Sequence, residues 1–454
     1  MKSFSIASLA KIINSSLNGG FSGSLTGISI DSRTIKAGDC FFAIKGDNFD
    51  GHNYVTKAFE NGASCAIVNK NYACDNLLKD KIILKTDDTL LSLADFAREY
   101  RKEQKFKVVA ITGSVGKTTT RKITSHVLGK HFNVFQSPAN FNNNIGLPIT
   151  LLGADPEHEV VIAELGSNYP GEIEYLSKIA LADIGVVTTV AAAHLQGFKN
   201  IDNIIEEKLS IAVGLADDGL LIVNEKLRGA CEERNLRFCT FGQSGEADVF
   251  AENIEFGDFS SCFKIDGVKI ELPLPGPGNV ENTLASWSIC KALGVSITDF
   301  AEAVKTVQAA SMRTETVRIG SVTVLADCYN ANPASMKNAL SILNNMKRTE
   351  KGRKVFICGD MGELGSDSEN LHRQLGEDIS KTDLDAVITV GPLSATAGEI
   401  LGKNSNIEIK SFKDVNSACN NLEKIIKESD IVLVKGSRSV KLEIAIEKLK
   451  QLFS

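Results

Sequence analysis

The sequence predicts an α/β protein of three domains. Its 454 residues are enough for two to four domains of ordinary size. Short apolar runs of strand length alternate with helical patterns, and polar or glycine-rich segments follow several of those runs, as is typical of parallel sheets with helical crossovers. We expect an N-terminal α/β domain at 1–105, a central P-loop mononucleotide-binding domain with a parallel sheet at 106–312, and a C-terminal Rossmann-like, doubly wound domain at 313–454.

The N-terminal region reads as a small α/β unit. Apolar runs predict strands at Ile28–Ile30, Cys40–Ile44 and Cys65–Val68, with a helix before the third. Between them lies an Asp-Gly-His turn signal, in which His52 by itself is most simply a solvated loop residue. The first twenty residues contain interrupting polar positions and no small-residue cleavage site, which favours a helix over a signal peptide.

The central region opens with a strand, a glycine turn and a helix. The strand is Val108–Thr112, and the helix begins at Lys117. Glycines in such a turn let backbone N–H groups approach phosphate oxygens, and the helix N-terminus adds unpaired donors and partial positive charge. Ile111 stands where the first Walker glycine would be, so the motif is shortened. An ordinary glycine turn is the alternative interpretation.

Two further strands of this region end at polar side chains. Val160–Ala163 is followed by Glu164, and Ile184–Val190 leads to His194. The carboxyl ends of parallel strands lie at one edge of a sheet, so both side chains can meet the phosphate turn there. Taken alone, Glu164 would be a structural residue that caps a helix or forms an ion pair. Taken alone, His194 would be a structural histidine with its hydrogen bonds made within the fold. Together with the turn they indicate a Mg²⁺–phosphate site.

Two other polar features of the central region are less specific. Four asparagines fall within five positions at 140–144, which fits either a surface loop or a group of amides that reads a sugar or peptide. Lys208 lies in a helical pattern, where its spacing predicts a solvated side chain. Residues 248–275 alternate and are rich in turns, which predicts a small antiparallel insertion, and Trp287 in the following helix is expected in the core.

The C-terminal region alternates strands and helices regularly. Polar segments follow three of its strands, at 327–333, 359–365 and 435–438. A G-x-G-x-x-G motif is missing from the sequence after these strands, so a dinucleotide is not indicated. The predicted strands are Val322–Ala326, Lys354–Cys358, Ala386–Val390 and Ile431–Val434.

Composition narrows the function classes. A net charge of −6 argues against a general nucleic-acid or membrane binder, and no apolar run approaches the roughly 20 residues of a membrane span. The ten cysteines form no C-x-x-C pair or metal spacing, so we expect reduced thiols in a cytoplasmic protein.

Taken together, these motifs resemble the Mur ligases, the ATP-dependent amide ligases of peptidoglycan precursor synthesis. The resemblance covers nearly the whole chain and rests on the Thr112–Thr119 turn, Glu164, His194 and Lys435–Arg438. It implies that a peptide carboxylate is activated by ATP as an acyl phosphate and then attacked by an amine, with release of ADP and phosphate.

Three stretches are most similar to one kind of family member. Glu164–Ile173, Ala191–Phe198 and Asp327–Met336 resemble the ligase that adds D-alanyl-D-alanine to a UDP-N-acetylmuramoyl tripeptide. The Asp-Asn-Pro-Arg motif typical of the ligase that adds the third residue is missing. The resemblance therefore implies these two small-molecule substrates for a monomer that binds neither nucleic acid nor membrane. A Mur ligase of the other step and a non-ligating, nucleotide-gated binding protein remain as alternatives.

The resemblance also implies roles for individual residues. Catalytic roles fall to Lys117, Lys208 and His194. Two Mg²⁺ ions would be held by Thr118, Glu164, His194 and Lys208, the lysine as its carbamate. ATP would be bound by Gly113, Ser114, Val115, Gly116, Lys117, Thr118, Thr119, Asn279, Asn282, Arg313 and Asp327. The other substrates would be bound by Ser32, Gly46, Asp50, His52, Asn140, Asn142, Asn143, Asn330, Lys435 and Ser437. Gly278 departs from the family, which often has histidine there, and this leaves the adenine contact open.

Overall fold

The computed structural model describes residues 1–15, 23–74 and 78–454. The N-terminal region forms a parallel sheet of order β3-β4-β5-β6 and a short antiparallel pair, β1-β2. Its elements are β1 (Phe4–Ser5), α1 (Ile6–Ile12), β2 (Ser24–Leu25), β3 (Gly27–Ser29), β4 (Asp39–Phe42), α2 (Val55–Glu60), β5 (Cys65–Asn69), β6 (Ile82–Thr86) and α3 (Thr89–Glu103).

The central region is built on a fully parallel sheet of order β13-β12-β11-β10-β7-β9-β8. The antiparallel insertion predicted at 248–275 is confirmed as the sheet β14-β15-β16. The elements are β7 (Lys107–Thr112), α4 (Lys117–Leu128), β8 (Val134–Gln136), α5 (Gly146–Gly153), β9 (Val160–Glu164), α6 (Glu172–Ala180), β10 (Ala182–Val187), α7 (Leu195–Phe198), α8 (Ile201–Leu209), β11 (Leu215–Asn224), α9 (Arg228–Glu233), β12 (Phe238–Gly242), β13 (Val249–Phe250), β14 (Glu252–Phe256), β15 (Ser261–Ile265), β16 (Val268–Leu272), α10 (Pro277–Ala292) and α11 (Ile297–Val304).

The C-terminal region has a sheet of order β17-β18-β22-β19-β20-β21, parallel except for the β17–β18 hairpin. That hairpin corrects the expectation of uniform β-α-β units. The elements are β17 (Glu315–Ile319), β18 (Val322–Ala326), α12 (Pro333–Asn345), β19 (Lys354–Gly359), α13 (Ser368–Ile379), β20 (Ala386–Val390), α14 (Pro392–Asn404), β21 (Glu408–Phe412), α15 (Val415–Cys419), α16 (Leu422–Ile425), β22 (Ile431–Lys435) and α17 (Glu443–Phe453).

The N-terminal and central regions share one hydrophobic core. Side chains from 4–106 and from 108–231 form a single buried cluster, in which helix α3 packs against α5 and α6. At its edge, the Tyr100 hydroxyl donates to the Ala154 carbonyl at 2.9 Å. Asp183 accepts from both Arg101 and Lys107 at 2.8 Å. These contacts fix the first sheet relative to the central one.

Most predicted strands are confirmed, and two of them end earlier than expected. The second strand ends at Phe42 and the strand before His194 ends at Val187, each a few residues earlier than expected. Eight of the described strands were not predicted, namely β1, β2, β6, β8, β11, β12, β17 and β21. Trp287 is buried in the core as expected, and all ten cysteines, every one of them among the described residues, are free. Within the described ranges, no helix has the length and apolar character needed to cross a membrane.

Candidate active site

A large cavity lies between the carboxyl edges of the central and C-terminal sheets. Its volume is about 1770 Å³. One wall follows the ends of neighbouring central strands β12, β11, β10, β7 and β9, and the other follows the ends of β18, β19 and β22. Because parallel strands place their loops at a common edge, this cavity collects polar side chains from distant parts of the chain.

The phosphate loop, residues 113–116, has the backbone that the glycines predict. Gly116 has φ of 95° and precedes α4, whose N-terminus has no side-chain cap. A Cβ at Gly116 would overlap the Asn282 side chain, so only glycine fits. The amides of Ser114 and Val115 donate to the Thr189 carbonyl at 2.9 and 3.1 Å. The first-turn amides of α4 are therefore the donors available to an anion.

Lys117 is the cation of this loop. Its Nζ donates to the Gly113 carbonyl at 2.5 Å. Burial lowers the pKa of Lys117 to about 8; the Glu164 carboxylate opposes this shift and the Arg313 charge adds to it. An anion that enters the cavity would restore the charged form.

Glu164 carries a buried ion pair that sequence reasoning missed. Its Oε1 accepts from Arg121 Nε at 2.7 Å, and both side chains are at least nine-tenths buried. Its Oε2 accepts from the Thr118 hydroxyl at 3.3 Å. Arg121 also donates to the carbonyls of Ser137 and Ala139. The arginine thus fixes both the carboxylate and the chain that leads into the asparagine loop.

His194 meets a residue of the opposite wall. Its Nδ1 lies 2.7 Å from Glu363 Oε2, in the segment after β19. This hydrogen bond lowers the pKa of the Glu363 carboxyl below its ordinary value, against the effect of partial burial. The polar segment at 359–365 was recognised in the sequence, but Glu363 was not predicted as a site residue.

Lys208 is buried, which corrects the interpretation that its spacing suggested. Its side chain is 2% exposed, and its Nζ donates to Ser167 Oγ at 2.6 Å. The neighbouring Glu207 accepts from the amides of Gly171 and Ile173 at the start of α6, and this holds the end of α8 inside. Burial, followed by the charge of Lys117, lowers the pKa of Lys208 to about 7.

The asparagine loop lies along the cavity. Asn140, Asn142, Asn143 and Asn144 all line it. The Asn142 carbonyl accepts from the Gly166 amide at 2.7 Å, and Asn143 Oδ1 accepts from the Gly146 amide at 2.9 Å, which helps to begin α5. The loop is therefore both structurally anchored and open to a ligand.

The C-terminal wall contains a second buried ion pair. Lys435 is 1% exposed, and its Nζ donates to Asp327 Oδ2 at 2.6 Å and to the Asn330 carbonyl at 3.2 Å. Arg313 stacks on the Tyr329 ring, with its guanidinium carbon 4.3 Å from the ring centroid. Lys435 thus holds the 327–330 segment, and Lys435, Arg313 and Asn330 all line the cavity. Ser437 is not among the lining residues found in the described chain; its hydroxyl lies 3.0 Å from that of Ser439.

The base of helix α10 joins the two walls. Asn279 is buried and donates to the Pro275 carbonyl and to the Thr314 hydroxyl, and Asn282 lies beside it. The Gly278 amide donates to Asn338 Oδ1 at 2.9 Å, and Asn338 occupies the space that a side chain at 278 would take. Three polar residues that were not predicted line this end of the cavity. They are Lys226, Gln243 and Glu281.

The four N-terminal candidates lie away from this cavity. None of Ser32, Gly46, Asp50 and His52 is among its described lining residues. His52 is not solvated: its Nδ1 lies 2.7 Å from Asp50 Oδ1 and its Nε2 accepts from the Asn69 amide at 2.9 Å. Both ring nitrogens are therefore engaged within the domain.

Comparison with known proteins identifies the family. Three models match along the chain: "Mur ligase family, catalytic domain" at 24–101, "Mur ligase middle domain" at 111–290, and "Mur ligase, glutamate ligase domain" at 312–438. The UDP-N-acetylmuramoyl-tripeptide–D-alanyl-D-alanine ligase of Bacillus subtilis is 31% identical over 432 residues, 93% of each chain. The chain belongs to the Mur ligase family.

Solved structures agree with this assignment. A crystal structure of MurF from Acinetobacter baumannii matches this Mur ligase with a TM-score of 0.90 and 30% identity, over 99% of both chains. MurF from Thermotoga maritima, crystallised in complex with ADP, matches with a TM-score of 0.82 and 27% identity, over 94% of this chain and 97% of that one. Within the family, the chain is therefore similar to MurF throughout its length.

The structure of this Mur ligase brings most of the predicted central and C-terminal residues to one cavity. Its lining includes residues 114–116 of the phosphate loop, Glu164, His194, the asparagine loop, Arg313, Asp327, Asn330 and Lys435, whereas Gly113 and Lys208 are not among the described lining residues. Among the residues that were missed, Arg121 carried a sequence signal, because it lies three positions after Thr118 and shares its helix face. Glu363 followed a predicted strand, but its pairing with His194 depends on how the domains dock.

Proposed function

We propose that this Mur ligase joins D-alanyl-D-alanine to UDP-N-acetylmuramoyl-tripeptide, with consumption of ATP and release of ADP and phosphate. The observation that carries the proposal is the cavity between two sheet edges, with a phosphate loop on one wall and Arg313, Tyr329 and Asn330 on the other. A site of this kind can hold a nucleotide against a second substrate. The full-length similarity to MurF supports the choice of substrates.

The reaction has two steps. A carboxylate oxygen of the tripeptide attacks the γ-phosphorus of ATP, the bond to ADP breaks, and an acyl phosphate forms. The dipeptide amine then attacks the acyl carbon, phosphate leaves, and the amine loses a proton. Lys117 and the first-turn amides of α4 offset charge on the transferred phosphoryl group, and the two walls exclude water that would hydrolyse the acyl phosphate.

The residues at the phosphate loop fit Mg²⁺. The Thr118 hydroxyl and a Glu164 carboxylate oxygen lie 3.3 Å apart and are hard oxygen donors. In the described ranges no group of three or more His, Cys, Asp or Glu side chains could hold a metal by itself, so nucleotide oxygens and water would complete the coordination, as is usual for Mg²⁺. When bound, the ion supplies Lewis-acid stabilisation to phosphate oxygens. His194 and Lys208 would hold a second ion.

Carbamylation of Lys208 has a physical basis in its burial. A neutral amine is needed to attack CO₂, forming an N–C bond with loss of a proton, and a pKa of about 7 leaves a large neutral fraction at neutral pH. The product carboxylate is a metal ligand, which the ammonium is not. Phe198 of α7 contacts both residues: its amide donates to the His194 carbonyl, and its ring lies 5.6 Å from Lys208 Nζ.

The remaining substrate contacts are proposed for the outer domains. The N-terminal residues Ser32, Gly46, Asp50 and His52 would hold the uridine-diphosphate end, outside the cavity in which the chemistry takes place. The amides of Asn140, Asn142 and Asn143 would contact the peptide. Asn330 and Ser437 would contact the incoming dipeptide, and Lys435 would act by holding the Asn330 segment.

The domain boundaries, the oligomeric state and the cellular location of the enzyme are part of the same proposal. The boundary at 105/106 falls between the end of α3 and the start of β7, and the one at 312/313 falls between α11 and β17. We propose that the enzyme acts as a monomer in the cytoplasm. Light scattering at the assay concentration tests whether the enzyme is a monomer, since a stable dimer would contradict this proposal.

The decisive experiment measures ADP release with purified substrates. UDP-N-acetylmuramoyl-tripeptide with D-alanyl-D-alanine should support turnover, and Lys117→Ala should abolish it. Turnover only with UDP-N-acetylmuramoyl-dipeptide and a diamino acid would assign the chain to the other ligation step. A sample that binds ATP but forms no product with either pair would be a nucleotide-gated binding protein.

A further inference from the structure

The His194 segment is held in an uncommon backbone conformation directly after β10. His194 has φ of 53°, in the left-handed region, and it immediately precedes the short helix α7. Its side chain is about a quarter exposed and lines the cavity. Such a conformation persists only where the surroundings impose it. The relevant surroundings include a loop of the C-terminal domain.

That loop, residues 361–365, is seated on α7 by several contacts. Besides the side-chain bond of 2.7 Å between Glu363 and His194, the Gln196 amide donates to the Glu363 carbonyl at 3.3 Å. A Cβ at Gly365 would lie 3.2 Å from the Gln196 Cα, so the two backbones are in close contact there. The Glu363 carboxylate therefore reaches His194 only when the C-terminal domain is docked on the central one.

The loop is also anchored within its own domain. The Met361 amide donates to Nε2 of His372 at 2.9 Å, and Nδ1 of that fully buried histidine lies 2.6 Å from the Ser368 carbonyl. The Glu363 side chain is thus presented from a preformed support rather than from a free loop. Docking of the domain brings the carboxylate to the imidazole in a defined geometry.

The bond has a chemical consequence for His194. A carboxylate at Nδ1 selects the tautomer in which Nδ1 carries the proton, and Nε2 then keeps its lone pair. In the described part of the chain, Nε2 has no hydrogen-bond partner of its own. An imidazole fixed in this way by a carboxylate is oriented as a ligand or acceptor, and loss of such a partner typically costs about 10–100-fold in affinity or activity.

We propose that Glu363 is a positioning residue that couples docking of the C-terminal domain to the orientation and tautomer of His194. The proposal rests on the proposed function in that His194 serves the reaction in the central domain. It assigns the completion of that site to a residue of another domain. The enzyme would then be poised for chemistry only after its C-terminal domain has closed over the nucleotide.

Three variants test the proposal in the full chain. Glu363→Ala removes the carboxylate, and Glu363→Gln keeps a neutral acceptor at the same reach. Asp258→Ala is the matched control, because Asp258 accepts from the Lys347 amide at 2.8 Å, across the same pair of domains but away from His194. Glu363 is about half exposed, so its replacement should not prevent folding.

The first readout is independent of activity. Ring ¹⁵N–¹H correlation spectra, with the His194 signals assigned by His194→Gln, report which nitrogen carries the proton. We expect the Nδ1–H form in wild type and in Asp258→Ala, and loss of that preference in Glu363→Ala. An Nδ1–H form that persists in Glu363→Ala, or an Nε2–H form in wild type, would overturn the proposal even if no substrate pair were turned over.

The second readout is steady-state turnover. Glu363→Ala should lower kcat by about 10–100-fold and leave the KM for ATP within about twofold, since the phosphate loop is untouched. Glu363→Gln should fall between Glu363→Ala and wild type, and Asp258→Ala should stay within about twofold of wild type. Equal losses in Glu363→Ala and Asp258→Ala would show a general docking effect and refute the specific role.

Discussion

Lys117 provides a quantitative test of the phosphate site through pH. Its pKa of about 8 without ligand results from burial, and phosphates in the cavity should raise that pKa well above the working range. Only the protonated form attracts phosphate, so ADP affinity should be nearly constant below about pH 7 and should fall progressively as pH rises through 8. Between pH 7.5 and 9.5 the protonated fraction falls by roughly 25-fold, equivalent to ~1.9 kcal/mol.

The assay is isothermal titration with ADP at fixed Mg²⁺, over a range in which the phosphates stay ionised. ADP affinity should fall by up to that factor, and binding at pH 8 should take up about half a proton, visible as a dependence of the measured enthalpy on buffer ionisation heat. Lys117→Arg is the control, because arginine remains charged throughout. If the ADP affinity of the wild type stayed constant within twofold between pH 7.5 and 9.5, Lys117 would not be the titrating group. A parallel fall of affinity in Lys117→Arg would refute the assignment as well.

Three further substitutions test other parts of the site. Lys208→Ala removes the amine that CO₂ would modify, so the rate of ADP release should fall by about 10–100-fold. Added bicarbonate should not restore the rate, and undiminished turnover would contradict the carbamate. Arg121→Met leaves Glu164 buried without its cation, which should destabilise the protein by about 3–5 kcal/mol in thermal melts, and Mg²⁺–ADP should raise the melting temperature of the variant more than that of wild type. An equal rise in both would count against a shared role of the carboxylate. Gly116→Ala places a Cβ against helix α10 at positive φ and should weaken ADP binding at least about tenfold. Gly267→Ala is the control, because this glycine also has positive φ but faces open space, and ADP affinity should be unchanged. Similar losses of affinity in both variants would mean that the close fit at the phosphate loop is not responsible.

Local sequence patterns are sufficient to predict the site residues that lie at strand ends. The phosphate loop, Glu164 and His194 each follow a short apolar run, and the rule that parallel strands share a carboxyl edge is enough to bring them together. The same rule would find Lys226 and Gln243 if the strands before them were recognisable. Strand β11 contains Asp217, Asp218 and Gly219 in its first half and is buried only over its last four residues, so its pattern is too weak.

Local patterns predict the wrong environment for some residues, because tertiary contacts decide whether those residues are buried and what they contact. The spacing around Lys208 is that of a solvated helix face, yet Glu207 caps α6 and draws that face into the interior. Lys435 matches a substrate-binding position, but its charge is taken up by Asp327. In both cases the partner is distant in sequence, and nothing in the local periodicity indicates it.

The two domain interfaces differ in kind, and this difference bears on how the enzyme works. The N-terminal and central domains share one apolar core, so separating them would expose buried hydrocarbon. By contrast, the clusters of buried residues on both faces of the C-terminal sheet contain only residues 319–449 among those described. The contacts to the central domain include the Gly278–Asn338 hydrogen bond and the His194–Glu363 ion pair. Polar interfaces of this kind permit relative motion. The connection between the domains passes through Met312 and Thr314, both at positive φ, where a few dihedral angles can absorb a rotation. Under the proposed function, the sugar-nucleotide end of the substrate would therefore be held on a rigid pair of domains. The C-terminal domain would open to exchange nucleotide and dipeptide and, on closing, would bring Glu363 to His194.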